Sequence, residues 1–93
     1  MSLEIKQGQN MYYIGIDENN TRAKMTFVPT GEDKIIVDHT SVGDEFRGQG
    51  VGDQLLDKVI DYARENQLQV IPLCPFVKAR MAKFPEKYGD VLA

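Results

Sequence analysis

This chain is short of most of the features that make a role easy to read. It has one cysteine, Cys74, so no disulfide can close within it; that suits a reducing compartment and leaves one free thiol to explain. No stretch approaches the ~18 apolar residues of a membrane-spanning helix. The opening MSLEIKQGQN lacks both the basic and the apolar segment of a secretion signal. A cytoplasmic protein with no membrane partner is therefore expected. Positive charge is also scarce. With 11 Lys and Arg against 14 Asp and Glu, the formal net charge is −3, which argues against a nucleic-acid partner, because duplex binding draws on cations that neutralise phosphates. Repeats, low-complexity tracts and linkers are missing too. At 93 residues, with 42% hydrophobic and 27% charged content, residues 1–93 read as one domain with one core, expected as a monomer or weak dimer.

Hydrophobic period divides the chain. Residues 3–7 (LEIKQ) and 11–17 (MYYIGID) suit strands, the latter rich in Tyr and Ile. ENNT is a turn. Residues 22–28 (RAKMTFV) alternate, with Ala23, Met25 and Phe27 on one face. After PTGED, residues 34–42 (KIIVDHTSV) form a strand with Ile35, Val37 and His39 on one face and Ile36, Asp38 and Thr40 on the other. The period then changes: Val51, Leu55, Leu56, Val59, Ile60 and Ala63 make one stripe of a helix over 51–65, which Asn66 stops. LQVIPL is a short strand that Pro72 must end or hold at an edge. PFVKARMAKF is a second helix, with Pro75 in its first turn, Phe76, Val77, Met81 and Phe84 inward and Pro85 after it. The tail YGDVLA adds a short extended piece. The fold class is α/β: an antiparallel meander followed by a strand, helix, strand, helix unit with a central parallel strand pair.

The segment FRGQGVG, residues 46–52, begins the long helix without any Ser, Thr, Asp or Asn to cap it. Gly48, Gly50 and Gly52 instead strip side chains from the turn, so a ligand can approach the main chain, and the helix dipole favours an anion. Arg47 adds a charge with bidentate reach. A phosphate or diphosphate cradle is one reading and a tight strand-to-helix turn the other. The spacing fits neither the dinucleotide GxGxxG nor the GK[ST] of a P-loop.

Arg47, Gly50 and Gly52 match the [QR]xxGx[GA] motif of the GNAT superfamily of acyl-CoA-dependent N-acetyltransferases, and the order of elements over residues 34–84 resembles that family. DHTSVGDEFRGQGVG followed by LCPF is similar to its short YjdJ-type branch. The resemblance implies acetyl-CoA as co-substrate and no metal. It implies that Arg47, Gly48, Gln49, Gly50, Val51 and Gly52 hold the pyrophosphate. It further implies a splay between the strands at 34–42 and 68–73 for the pantetheine arm, with a main-chain N–H near Val42 polarising the thioester. Pro72 suits such a splay, since it withholds a ladder donor.

Two further residues carry candidate chemistry. Cys74 precedes Pro75 and so caps the second helix, where the dipole, and Lys78 or Arg80 one turn on, lower a thiol's pKa. It is either a small buried hydrophobe or a functional thiol that accepts the acetyl group or protonates the departing CoA thiolate. His39, the only histidine, is either structural, or a base for the incoming ammonium or a partner of Cys74. The family's tyrosine acid has no match on the second helix, because Tyr88 follows Pro85.

Lys78, Arg80, Lys83 and Lys87 form a local basic excess, read either as a site for the ribose phosphate or as a solvated face. Asp53, Asp57 and Asp61 have no His or Cys beside them and read as a solvated face, not a metal site. The leading reading is an N-acetyltransferase acting on an amine, a protein lysine or a small amine, directly or through Cys74. The alternative is a non-catalytic acyl-CoA-binding or sensor module. A third is a small interaction domain whose glycines only make a turn.

Overall fold

The computed structural model describes residues 4–46 and 48–93. Five strands form one mixed sheet in sequence order: β1 (Lys6–Gly8), β2 (Met11–Asp17), β3 (Asn20–Thr30), β4 (Lys34–Val42) and β5 (Gln69–Pro72). The helices are α1 (Val51–Glu65), α2 (Pro75–Lys83) and α3 (Pro85–Tyr88), with a 3-10 turn at Asp44–Phe46 before α1. The predicted first strand is shorter than its pattern suggests, and Leu3 lies outside the described residues. Only Gln9 and Asn10 separate β1 from β2, with Asn10 at φ 57° supplying the left-handed corner.

β1 to β4 pair antiparallel, and β5 pairs with β4 in parallel. The parallel pair lies at the end of the sheet and not at its centre. Beyond β5, among the described residues, the chain offers a single parallel bridge, Val70 to Leu92, closed by the Val70 N–H to the Val91 carbonyl at 2.6 Å and the Ala93 N–H to the Val70 carbonyl at 2.9 Å.

The alternation of β3 puts Ala23, Met25 and Phe27 inside, where they meet the buried stripe of α1: Val51, Leu55, Leu56, Val59, Ile60 and Ala63. Tyr62 extends this contact, its ring 5.1 Å from Phe27 and 6.4 Å from Tyr12, centroid to centroid. α2 contributes Val77 and Met81 to the same core. Phe84 is half-buried against it, but Phe76 stays partly exposed at the start of α1. Among the described residues no helix is long and apolar enough to cross a membrane.

One irregularity in β4 shapes the rest. The register runs Thr26 to His39 and then Phe27 to Val37, so Asp38 is an extra, unpaired residue, a β-bulge. The alternation predicts His39 on the face of Ile35 and Val37. The bulge reverses this: Thr40 and Val42, opposite Met25 and Ala23, take the core face, while His39, opposite Thr26, turns to the other and is exposed. Asp38 is held there by the Thr26 hydroxyl, which donates to its Oδ1 at 2.7 Å.

Burial separates what this core can lose from what it cannot. Leu56, fully buried, should cost about 2–5 kcal/mol when cut to alanine. Ile16, 82% exposed, should cost about 0.5 kcal/mol or less. Urea denaturation of the two variants checks the assignment, and equal losses would contradict it.

Candidate functional site

β4 and β5 stay together only as far as Val37 and Pro72. There the Val37 carbonyl accepts two N–H groups at once, from Leu73 at 3.1 Å and Cys74 at 3.0 Å. The chain then turns into α2, leaving residues 38–42 of β4 without a partner strand on that side. On the other side the Gly43 N–H bonds the Arg22 carbonyl at 2.9 Å. The alternation of an antiparallel ladder therefore turns the N–H groups of Thr40 and Val42 towards the gap. Pro72 closes β5 where the strands part, as a residue without an N–H permits.

At the far end of this opening is a pocket of about 350 Å³, walled by Val42, Phe46, Gly48, Gly50, Val51, Gly52, Asp53, Phe76 and Arg80. Its floor is the start of α1. Gly50 is the N-cap at φ 70°, ψ 23°, and no side chain caps the helix. Among the described residues the first main-chain bond into α1 is the Gln54 N–H to the Gly50 carbonyl at 3.1 Å. Gly48 is also left-handed, at φ 77°, and a Cβ at either glycine would meet nothing within 4 Å. These two glycines shape the turn and leave clear space over it.

Gly52 does something else. A Cβ there would stand 2.7 Å from the ring of Phe76, so its bareness admits that ring. Of the three glycines expected to strip the turn, Gly48 and Gly50 thus have open space above them and Gly52 does not. Gln49 braces the turn from below, its Nε2 donating to the Glu45 carbonyl at 2.9 Å. Arg47 lies outside the described residues.

Cys74 is the N-cap of α2 and is 7% exposed. Its Sγ lies 3.4 Å from the Thr40 Oγ1, on the core face of the gap. Burial, the largest single influence, pushes the thiol up. The Thr40 hydroxyl, which can donate to a thiolate, and the N–H groups of Val77 and Phe76 together outweigh it, and the net shift is downward. Those amides face the sulfur too loosely to make a capping bond but near enough to favour the anion. The cations expected to help act elsewhere: Arg80 is held by Asp53, and Lys78 is exposed. Cys74 and His39 are not brought together, since the bulge sends them to opposite faces of the sheet. Thr40 and Val42, two residues apart on one face, link thiol and pocket over about 7 Å.

Of the aspartate row of α1, Asp61 is solvated as expected, but Asp53 and Asp57 are drawn into ion pairs. Arg80 grips Asp53 with Nε at 2.6 Å and with Nη2, and holds its carboxyl below the ordinary value. Asp57 accepts from Lys87 Nζ at 3.1 Å and from the Tyr88 hydroxyl at 3.2 Å. Half of the basic excess is thus spent tying α2 and α3 to α1. Among the described residues no group of three or more His, Cys, Asp or Glu is arranged to hold a metal ion.

The sequence profile of the family described as GCN5-related N-acetyl-transferase matches residues 11–91. A proposed GCN5-like N-acetyltransferase from Staphylococcus aureus is similar to this chain at 48% identity and a TM-score of 0.82, over 98% of this chain and 88% of that one. N-acetylglutamate synthase from Neisseria gonorrhoeae, solved with coenzyme A and N-acetyl-glutamate, has 17% identity and a TM-score of 0.62 over 80% of this chain and 18% of its own. A GNAT family N-acetyltransferase from Escherichia coli, solved with CoA, has 22% identity and a TM-score of 0.61 over 75% of this chain and 43% of its own. The last two share the fold, and this chain spans less than half of their lengths. No curated protein matches.

The thiol's surroundings yield a direct test. With its pKa lowered, Cys74 should be alkylated by iodoacetamide with a midpoint below the ordinary thiol value of 9.0. Thr40→Val removes the hydroxyl that supports the thiolate, so the midpoint should rise and the rate at neutral pH should fall. An unchanged pH profile would contradict the role given to Thr40.

Proposed function

The chain belongs to the GCN5-related N-acetyltransferase family, and on that premise we propose that it binds acetyl-CoA and transfers the acetyl group to an amine. One observation carries the reading: the uncapped start of α1, opened by left-handed Gly48 and Gly50, lies in a pocket that reaches Val42 at the end of the free edge of β4. Main-chain N–H groups at the start of a helix are suited to a diphosphate. Arg47, Gly48, Gln49, Gly50, Val51 and Gly52 are assigned to it, with Val42 and Thr40 presenting N–H groups to the arm and the thioester carbonyl. Residues 1–93 are read as one acetyl-CoA-binding domain, cytoplasmic and of the short YjdJ-type branch. The nearly equal span of the S. aureus protein supports that placement.

Cys74 is assigned the acetyl group in transit. Surroundings that favour a thiolate suit a nucleophile better than a proton donor. Its sulfur attacks the thioester carbonyl, the bond from carbonyl carbon to the CoA sulfur breaks, and the CoA thiolate leaves and takes a proton from solvent. The neutral amine then attacks acetyl-Cys74, the thiolate is released and the amide nitrogen loses its proton. His39, exposed on the face of β4 away from Cys74, is assigned to the acceptor side, where it takes the proton of the ammonium before the neutral amine reaches acetyl-Cys74. The acceptor is a protein lysine or a small amine, consistent with a link of only two residues between β1 and β2 that leaves this end of the sheet uncovered.

Intact-mass analysis after incubation with acetyl-CoA tests the reading. One acetyl group should appear on Cys74, should be removed by a reactive amine from a panel of lysine peptides and small amines, and should be absent in Cys74→Ala. Transfer by that variant should fall roughly 10²-fold or more, the scale on which positioned catalytic groups act. Amine acetylation that survives in Cys74→Ala would show direct transfer. Tight binding with no acetylated product would make the protein a sensor.

A further inference from the structure

The pocket that receives the coenzyme in the reading above contains a carboxylate, which is the wrong charge for a phosphate site. Asp53 stands in the first turn of α1, directly after Gly52, and lines the same pocket as Gly48 and Gly50. Left unpaired it would repel a phosphate bound at the helix start. It is neutralised by Arg80, which reaches across from α2 and takes both carboxylate oxygens in a fork. Arg80 also lines the pocket, and its guanidinium is 5.9 Å from the Phe76 ring and 5.6 Å from that of Phe84. Both members of the pair are partly exposed, with side chains 30% and 37% accessible, so a soluble anion can reach the guanidinium.

The guanidinium fork fits a phosphate as well as it fits a carboxylate. We propose that Asp53 and a phosphate of the coenzyme compete for Arg80: the free protein stores Arg80 on Asp53, and binding transfers it to the ligand. Phe76 on α2 and Phe84 at its C-cap flank the guanidinium while its partner changes. Asp53 then acts as an internal competitor that sets the affinity of the site, and Arg80 is the cation that selects a polyphosphorylated ligand. The inference rests on the acetyl-CoA reading, but makes a claim of its own about these two residues.

Calorimetric titration with acetyl-CoA and with acetyl-dephospho-CoA tests it. Asp53→Asn should tighten acetyl-CoA binding by about 3- to 10-fold, the reverse of what loss of a site residue usually does. Arg80→Gln should weaken it by ~10-fold or more, the scale of one charge-assisted contact. If the exchanged phosphate is the monoester, the preference for acetyl-CoA over the dephospho form should vanish in Arg80→Gln. If it is the diphosphate, both ligands should weaken together. The Arg80 Nε–H resonance of the wild-type protein should move on saturation in either case.

Weaker or unchanged binding by folded Asp53→Asn, or an Arg80 resonance that stays still at saturation, would overturn the exchange while leaving the acetyl-CoA reading in place. A pair that only staples α1 to α2 would give that pattern, with a lowered urea midpoint in both variants. Failure of the wild-type protein to bind either ligand would overturn both claims.

Discussion

The carbonyl of Val37 is the point on which this structure turns. It accepts the N–H groups of both Leu73 and Cys74, so β5 ends against it and the chain leaves the sheet at once. One residue later β4 bulges at Asp38. Each feature alone would be local: a bulge adds twist, and a proline ends a strand. Together they separate two parallel strands while β4 stays tied to β3 on its other side. Every element of the site follows from that separation. Thr40 and Val42 turn to the core face, the start of α2 comes under Thr40 with Cys74 at its cap, and the free edge leads to the uncapped start of α1.

Much of the scaffold could be read from residue pattern because its causes are local. The bounds of 11–17, 34–42 and 51–65 follow from alternation, period and the stop at Asn66, and the six residues predicted for the buried stripe of α1 are those that are buried. The position of Cys74 at a helix cap follows from Pro75 alone. The bulge was not legible in the same way, because it is a property of two strands in register. Its trace in β4 is only a change of character, three apolar residues (Ile35 to Val37) followed by four polar ones (Asp38 to Ser41), which does not say where a residue is left over. Reading that run as regular strand puts His39 beside Cys74, and the structure separates them.

The charged residues teach a related lesson. Viewed on its own helix, the row Asp53, Asp57, Asp61 offers only the Arg64 to Asp61 pair. The partners of Asp53 and Asp57 lie on α2 and just beyond it, and the Asp53 to Arg80 bond spans 27 positions. The complementary spacing of Arg80 and Lys87, about two helical turns apart, was the available signal. Gly52 is similar: a glycine in a phosphate-binding pattern also serves as a seat for an aromatic ring from another helix. In a chain this small, one residue often meets two demands, since few side chains are free of the core.

The central claim is that a bare helix start and a free strand edge form one continuous site for acetyl-CoA. It is tested most directly by titrating isotope-labelled protein with acetyl-CoA and following the backbone amides, with Gly50→Glu as the control. The account predicts saturable shifts at Gly48 to Gly52 together with Thr40 and Val42, all lost in the variant. Shifts absent from these amides, or confined to surfaces away from the gap, would contradict it and leave the glycines as no more than a turn.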